Sequence, residues 1–371
     1  MIIAKKVRLY PSPLQEQKLW QSVGTARFIY NWTLAKQEEN YKKGGKFISD
    51  NDLRKEITQL KKNELSWLNE VSNNVAKQAV KDACNAYKRF FKGLSEKPRF
   101  KSKRKSKKSF YNDNVKLKVK HGNLVNIEKV GWIKTNEQLP IDVKYSNPRI
   151  SYDNKYWYIS VGLEKEAILE QLTDVSLGID VGLKDLAICS DGTVYKNINK
   201  TYIVRKTEKK LRRLQRQVSR KYEKNKDGKT FRKTRNIIKV EREIQRIHRR
   251  LANIRYNHLH QTTTSIAKTK PYRVVIEDLH VKGMMKNKHL SKAIAKQGFY
   301  EFKRQLDYKC KLRGIELVLA DRFYPSSKTC SRCGEIKKDL KLKDRIFKCI
   351  CGFTIDRDIN ASINLSNYKL A

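Results

Sequence analysis

Residues 177–195 read LGIDVGLKDLAICSDGTVY, and the fold turns on how this stretch is parsed. The run VSLGI is apolar enough to be a buried strand, and Ser190-Asp191-Gly192 closes a hairpin behind it. Asp180 ends the run, immediately before Val181-Gly182. Further on, past Pro271, RVVIEDL repeats the pattern: an apolar run, VVI, ended by Glu277. A helical stretch, Phe299–Leu312, and another strand, IELVLA, follow. Strands alternating with helices on a central sheet make this half of the chain α/β.

Each of the two strand-end carboxylates has an ordinary explanation, because acids often cap the turn after a strand. A carboxylate closing a buried strand nonetheless costs desolvation, and a bound cation is a good reason to keep one there. A third piece changes the weight. DRDINAS puts Asp356 and Asp358 at the start of a helix near the C-terminus. A strand Asp, a strand Glu and a helix Asp form the two-metal arrangement used to cut phosphodiesters, and hard Mg²⁺ or Mn²⁺ suits such oxygen ligands. Residue chemistry alone does not separate Asp356 from Asp358.

Between these elements lie Cys330-Ser-Arg-Cys333 and Cys349-Ile-Cys351, 15 residues apart. Two close pairs can supply four thiolates in tetrahedral geometry, with Gly334 and Gly352 allowing tight turns behind them. The spacing predicts a zinc-ribbon hairpin, with a second pair one residue shorter than the common CxxC. Four thiolates close the coordination sphere, so this Zn²⁺ is expected to be structural. Cys84, Cys189 and Cys310 are expected to be core residues, and the scattered histidines, including His258 and His260, surface residues.

Upstream the character differs. IAKKVRLY alternates apolar and basic residues as a short strand; Ser12, Pro13 and Gln15 then supply an N-cap, a first-turn proline and a capping box. Leu19, Val23, Ala26 and Tyr30 share one helical face, and further helices are expected around 53–60 and 75–90. Residues 115–162 break into five or six short β-rich runs split by turn signals, which predicts a small antiparallel barrel that recruits the N-terminal strand. Farther along, Ile237, Val240, Ile244, Ile247, Leu251 and Ile254 mark the apolar seam of a helical hairpin, with Leu211, Leu214 and Val218 on its partner.

Charge sets the partner. The chain has 371 residues with 83 Lys plus Arg against 38 Asp plus Glu, a formal charge of +45. At 39% hydrophobic residues it can build real cores, so it is not a basic tail. Such a surface argues against an ordinary small-molecule enzyme and for a polyanion partner. The surplus is concentrated. Residues 97–108, KPRFKSKRKSKK, carry eight bases and no acid, and residues 205–255 carry 21 bases against five acids. Within the first run Lys101, Lys103, Arg104 and Lys105 are candidates for phosphate contact. No stretch approaches a membrane span, no apolar signal core opens the chain, and a reducing cytoplasm is the expected location.

Taken together, LGIDVGLKDLA, VIEDLHVKGM, YPSSKTCSRCG, KCICGFTIDRDINASINL and the opening RLYPSPLQEQKLW…ARFIYN resemble TnpB (OrfB), transposon-encoded RNA-guided DNA endonucleases related to type V CRISPR effectors. The motifs occur in family order along nearly the whole chain. The resemblance implies a multidomain α+β protein: a β-barrel wedge domain (1–10 and 111–170), a helical recognition lobe (11–110), a RuvC-like nuclease domain of the RNase H fold (171–329 and 353–371), and the zinc ribbon (330–352). It implies Asp180, Glu277 and Asp358 as the catalytic, Mg²⁺-binding acids, and Cys330, Cys333, Cys349 and Cys351 as zinc ligands. By position it suggests Asn74, Lys77, Gln78 and Lys81 as readers of a short motif beside the target. The implied partners are a guide RNA from the element's right end and target double-stranded DNA, with a monomeric protein in a ribonucleoprotein and no membrane. Sequence would be read by base pairing while the protein grips the backbone. The competing expectations are a nuclease-inactive RNA-guided repressor, which should have lost an acid, and a strand-transfer transposase using the same acids.

Overall fold

A computed structural model describes residues 1–168, 170–228, 230–341 and 344–369. The chain divides into two compact units, Met1–Lys165 and Glu166–Ala371. Among the described residues no helix is long and apolar enough to cross a membrane.

The first unit opens with strand β1 (Ile2–Tyr10) and helix α1 (Pro13–Lys42). The turn between them forms as its sequence predicts. Ser12 Oγ accepts from the Gln15 amide at 3.3 Å, and Gln15 Oε1 accepts from the Ser12 amide at 3.0 Å, with Pro13 opening the helix. Helices α2 (Asp50–Leu60) and α3 (Asn73–Phe91) follow, capped by Ser49 and Ser72. Ile29, Leu53, Ile57, Leu68, Ala76 and Val80 close the core among them.

Six more strands complete this unit: β2 (Lys108–Tyr111), β3 (Lys118–Lys120), β4 (Leu124–Ile127), β5 (Gly131–Thr135), β6 (Tyr145–Tyr152) and β7 (Trp157–Glu164). They form one antiparallel seven-stranded sheet in the order β2-β6-β7-β1-β5-β4-β3. The N-terminal strand is thus the middle member, between partners more than 120 residues away. Alternation along β1 sends Val7 and Leu9 inward, where they meet Val125, Ile133, Ile150 and Ile159, with Leu19 and Val23 of α1 sealing the layer.

The second unit is built on a five-stranded sheet ordered β10-β9-β8-β13-β14, from β8 (Thr173–Val181), β9 (Asp185–Cys189), β10 (Val194–Lys196), β13 (Pro271–Glu277) and β14 (Glu316–Ala320). The first three strands pair antiparallel; β8, β13 and β14 run parallel. Between β10 and β13 comes the helical hairpin α4 (Tyr202–Lys224) and α5 (Arg235–Lys268), whose tip carries the short strands β11 (Lys226–Asp227) and β12 (Thr230–Phe231). Val204, Leu211, Ile247 and Leu251 fill its seam. Helices α6 (Val281–Met284), α7 (Ser291–Gln297) and α8 (Phe299–Lys311) precede β14; the hairpin β15 (Ile346–Lys348) and β16 (Thr354–Asp356) and helix α9 (Arg357–Ser366) follow it.

Both faces of this sheet are covered. On one, Leu177, Ile179, Val274 and Ile276 pack against Leu259 and Ile266 of α5 and Phe302 and Leu306 of α8. On the other, Val275, Val318 and Ala320 pack against Leu365 of α9. Helix α9 comes so close to β8 that a Cβ on Gly178 would stand 1.9 Å from the Ser362 carbonyl oxygen. Only glycine fits there, and it lets the C-terminal half of α9 lie directly on β8. Cys84, Cys189 and Cys310 are buried as expected. His258 and His260 are half-buried rather than on the surface, because His258 Nε2 lies 3.0 Å from the Lys196 carbonyl and His260 packs edge-on to Tyr256.

Candidate active site and cysteine cluster

Strand pairing brings two of the acids together. Ile276 pairs with Ile179 across parallel strands, so the next residues, Glu277 and Asp180, stand side by side at the C-terminal ends of β13 and β8. Alternation along each strand puts both on the face that Gly178 and Val275 present to α9. Asp358 comes from the first turn of α9 on the same side. Edges of parallel strands at their C-terminal ends are where α/β sheets hold their ligands.

The electrostatics register the convergence. Burial, then the negative charges of Glu277 and Asp358, push the Asp180 carboxyl up to about 8, with Arg357 pulling the other way. Among the described residues the cysteines alone form a group of potential metal ligands closed to metal-binding distance. The acids instead hold other partners: Glu277 Oε1 accepts from Ser326 Oγ at 2.7 Å, and Asp358 lies 3.3 Å from Arg357 and 4.0 Å from Arg345. The donor set is all carboxylate oxygen, which matches a hard divalent cation.

The structure also distinguishes the two acids that chemistry left open. Asp356 is the N-cap of α9, its Oδ1 accepting from the amides of Asp358 at 2.9 Å and Ile359 at 3.3 Å. That is the work of a helix cap. Asp358, released from capping, is the acid whose charge weighs more on Asp180. A similar division separates Glu277 from its neighbour. Asp278 is ion-paired to Lys303 at 3.0 Å and Arg322 at 2.8 Å, which holds its carboxyl below the usual range.

The four cysteines form a closed cluster. Cys330 Sγ lies 3.9 Å from Cys351 Sγ, Cys333 Sγ lies 3.6 Å from Cys349 Sγ, and all four sulfurs fall within 4.8 Å of one another. A tetrahedron of thiolates at the Zn–S distance has edges of about 3.8 Å, so the sulfurs fit that ion. Gly334 and Gly352 both adopt φ +81°, and their amides turn back to the Cys330 and Cys349 carbonyls at 2.9 and 3.1 Å.

The candidate nucleic-acid residues separate into groups. On α3, Asn74 and Gln78 form one half-buried row, tied to Glu128 at 3.2 Å and Asp82 at 2.8 Å. Lys77 and Lys81 form an exposed row beside it, and Lys77 lines a groove of about 640 Å³ with Arg54, Lys61, Asn69 and Asn73. Lys103, Arg104 and Lys105 are exposed, whereas Lys101 is half-buried with its Nζ 3.4 Å from the Tyr30 ring centre. A basic groove of about 900 Å³ along α4, lined by Lys206, Lys210, Arg213 and Arg216 with Arg250 of α5, had no residue singled out in advance. Its signal was present as the arginine spacing on the wet face of the hairpin.

Comparison with known proteins identifies the family. Residues 159–288 match the OrfB IS605 family described as "Probable transposase", residues 1–46 its "Helix-turn-helix domain", and residues 299–365 the "Cas12f1-like, TNB domain". Within 1–46 the fold is a strand followed by one 30-residue helix. The chain is 33% identical to "Putative RNA-guided DNA endonuclease InsQ" of Escherichia coli (strain K12), over 98% of this chain and 91% of that protein. The chain belongs to the TnpB (OrfB) family. A second family relative, from Streptomyces pristinaespiralis, is 32% identical over 99% of this chain and 89% of its own length. The fold of this TnpB-family chain resembles that in "Cryo-EM structure of the Cas12f1-sgRNA-target DNA complex", with a TM-score of 0.60, 15% identity and 99% of each chain covered.

Proposed function

We propose that this chain is an RNA-guided DNA endonuclease in which Asp180, Glu277 and Asp358 hold the catalytic divalent metal ions. The observation that carries the reading is the meeting of these three acids at one end of the sheet, in a chain that matches relatives of that name over 91% and 89% of their length. The sheet order, with three antiparallel strands continued by two parallel ones, supports a RuvC-like domain of the RNase H fold. The seven-stranded sheet is read as the wedge, the bundle α1–α3 as the recognition lobe, and the four cysteines as a zinc ribbon. The partners are a guide RNA and the DNA it pairs with, in a cytoplasmic ribonucleoprotein.

Asp180, Glu277 and Asp358 would hold the ions, and Asp180, raised by burial and by the other two acids, would have to release its proton for a cation to bind there. The Asp356 cap closes the first turn of α9, the turn that carries Asp358. The chemistry that Mg²⁺ or Mn²⁺ would supply there is activation of water and stabilisation of the leaving oxygen. The basic surfaces hold phosphate backbones and carry no sequence information, which base pairing supplies.

The test is cleavage of target DNA by the purified ribonucleoprotein in Mg²⁺. Asp180→Ala is expected to lower the rate by about 10³-fold or more while the complex still binds guide and target. Cutting at the parental rate would refute the assignment. Strand transfer by the same acids is the second reading, favoured by the transposase description of the family. A single defined RNA that co-purifies decides for the guide.

A further inference from the structure

The segment between β14 and the first cysteine touches all three parts of the second unit. Ser326 is buried, at 2% exposure, and its Oγ donates to Glu277 Oε1 at 2.7 Å. Its backbone carbonyl accepts from Asn364 Nδ2 at 2.7 Å, and the same amide donates to the Thr329 carbonyl at 2.6 Å. One turn earlier on α9, Asn360 Nδ2 donates to Thr329 O at 2.6 Å, while Asn360 Oδ1 accepts from the Ser331 amide at 3.0 Å. Tyr324 Oη closes the set by donating to the Asn364 carbonyl at 3.1 Å.

Both asparagines are buried, and a carboxamide is the side chain that can donate to carbonyls and accept an amide proton at once. They stand four residues apart, so they share one face of α9 and grip one stretch of backbone. Asn360 lies two residues after Asp358, and Ser331 and Thr329 flank Cys330. The segment therefore runs into the cysteine cluster at Cys330, is held along its length by the helix that carries one acid, and is tied through Ser326 to the strand that carries another.

We propose that Ser326 is a positioning residue for Glu277, and that the strap from Ser326 to Ser331, clamped by Asn360 and Asn364, fixes Glu277 and α9 relative to one another with the cysteine cluster as its anchor. This rests on the reading of the acids as metal ligands. A hydroxyl on one oxygen sets the plane of the Glu277 carboxylate, as outer-layer hydrogen bonds commonly orient metal-binding side chains. The strap has no chemistry of its own, and its effect is on how well the acids are prepared for metal.

The experiment measures Mn²⁺ affinity by the EPR signal of the free ion, alongside cleavage against Mg²⁺ concentration, for the parent ribonucleoprotein, Ser326→Ala, Ser326→Thr and Asn364→Ala. Ser326→Ala is expected to weaken Mn²⁺ binding and raise half-saturating Mg²⁺ by about 10-fold. Its rate should return to within about twofold of the parent at saturating metal, and Ser326→Thr, which keeps the hydroxyl, should behave like the parent. Asn364→Ala should weaken Mn²⁺ although it touches neither acid; if that variant fails to fold, the two Ser326 variants decide. Parental Mn²⁺ affinity in folded Ser326→Ala overturns the proposal, as does a lower rate at every metal concentration with unchanged binding. An Asp180→Ala control that binds Mn²⁺ as well as the parent defeats the metal reading itself and takes this inference with it.

Discussion

The cysteine cluster and the carboxylate site sit in the same unit and are built on opposite logic. The cluster takes its four ligands from 22 consecutive residues, Cys330 to Cys351, and the chain between them is a hairpin that folds back on itself. Its sulfurs are already at tetrahedral spacing. The acids come from β8, β13 and α9, spanning Asp180 to Asp358, and meet only when the sheet and its covering helix are complete. The cluster is a local structure that holds itself; the acid site is a global one that repels itself. A site assembled against its own charge needs rigid support, and the cap at Asp356, the close contact at Gly178 and the Ser326 hydroxyl supply it.

If the cluster is a structural anchor, breaking it should cost the most. Cys333→Ser removes one thiolate, and metal binding at such sites is folding free energy. The expected outcome is loss of one zinc per chain by elemental analysis, together with a melting temperature lowered by roughly 5–10 °C. Unchanged zinc content and melting would show that the cluster is not a metal site.

Burial of Asp180, with the charges of Glu277 and Asp358 added to it, gives a pH dependence whose sign is opposite to that of a salt-bridged carboxylate. Asp180 is raised from 3.8 to about 8 in the folded protein, so between these values the folded state binds more protons than the unfolded one. Stability without added divalent cation should therefore fall as pH rises from about 4 to about 8, by a few kcal/mol at most. Asp180→Asn should flatten that slope and leave the protein more stable at pH 8. Denaturant titrations at several pH values check it, and equal slopes for the two proteins would mean that neither burial nor its neighbours raise the Asp180 carboxyl.

The smallest effect separates the two acids of α9. Asp356→Ala should lose a helix cap worth about 1 kcal/mol while retaining most of the cleavage. Asp358→Ala should do the reverse, keeping stability and losing cleavage. The opposite pattern would exchange their roles.

Sequence made the local features legible and left the distant ones open. The Ser12 capping box, the seam of α4 and α5, and both cysteine pairs are written in spacings of a few residues, and they formed as expected. Asp180 and Glu277 could be picked out because each ends an apolar run, a local signal, although their adjacency depends on a parallel register set across nearly 100 residues. The central position of β1 has no local mark, since both of its partners lie beyond residue 130. Ser326 was invisible for the same reason: nothing in YPSS announces that one hydroxyl will find Glu277. Asn74 and Gln78 show the reverse case, in which a plausible surface row on α3 is engaged by Glu128 and Asp82 from its own unit.

The central claim is that an RNA directs where these acids cut. The direct measurement is to replace the guide segment of the co-purifying RNA, incubate the complex with DNA bearing the new target in Mg²⁺, and sequence the broken ends. The breaks are expected to move to the new target and to disappear in Asp180→Ala. Breaks that stay at one DNA sequence whatever the guide, or that form without RNA, would contradict the claim.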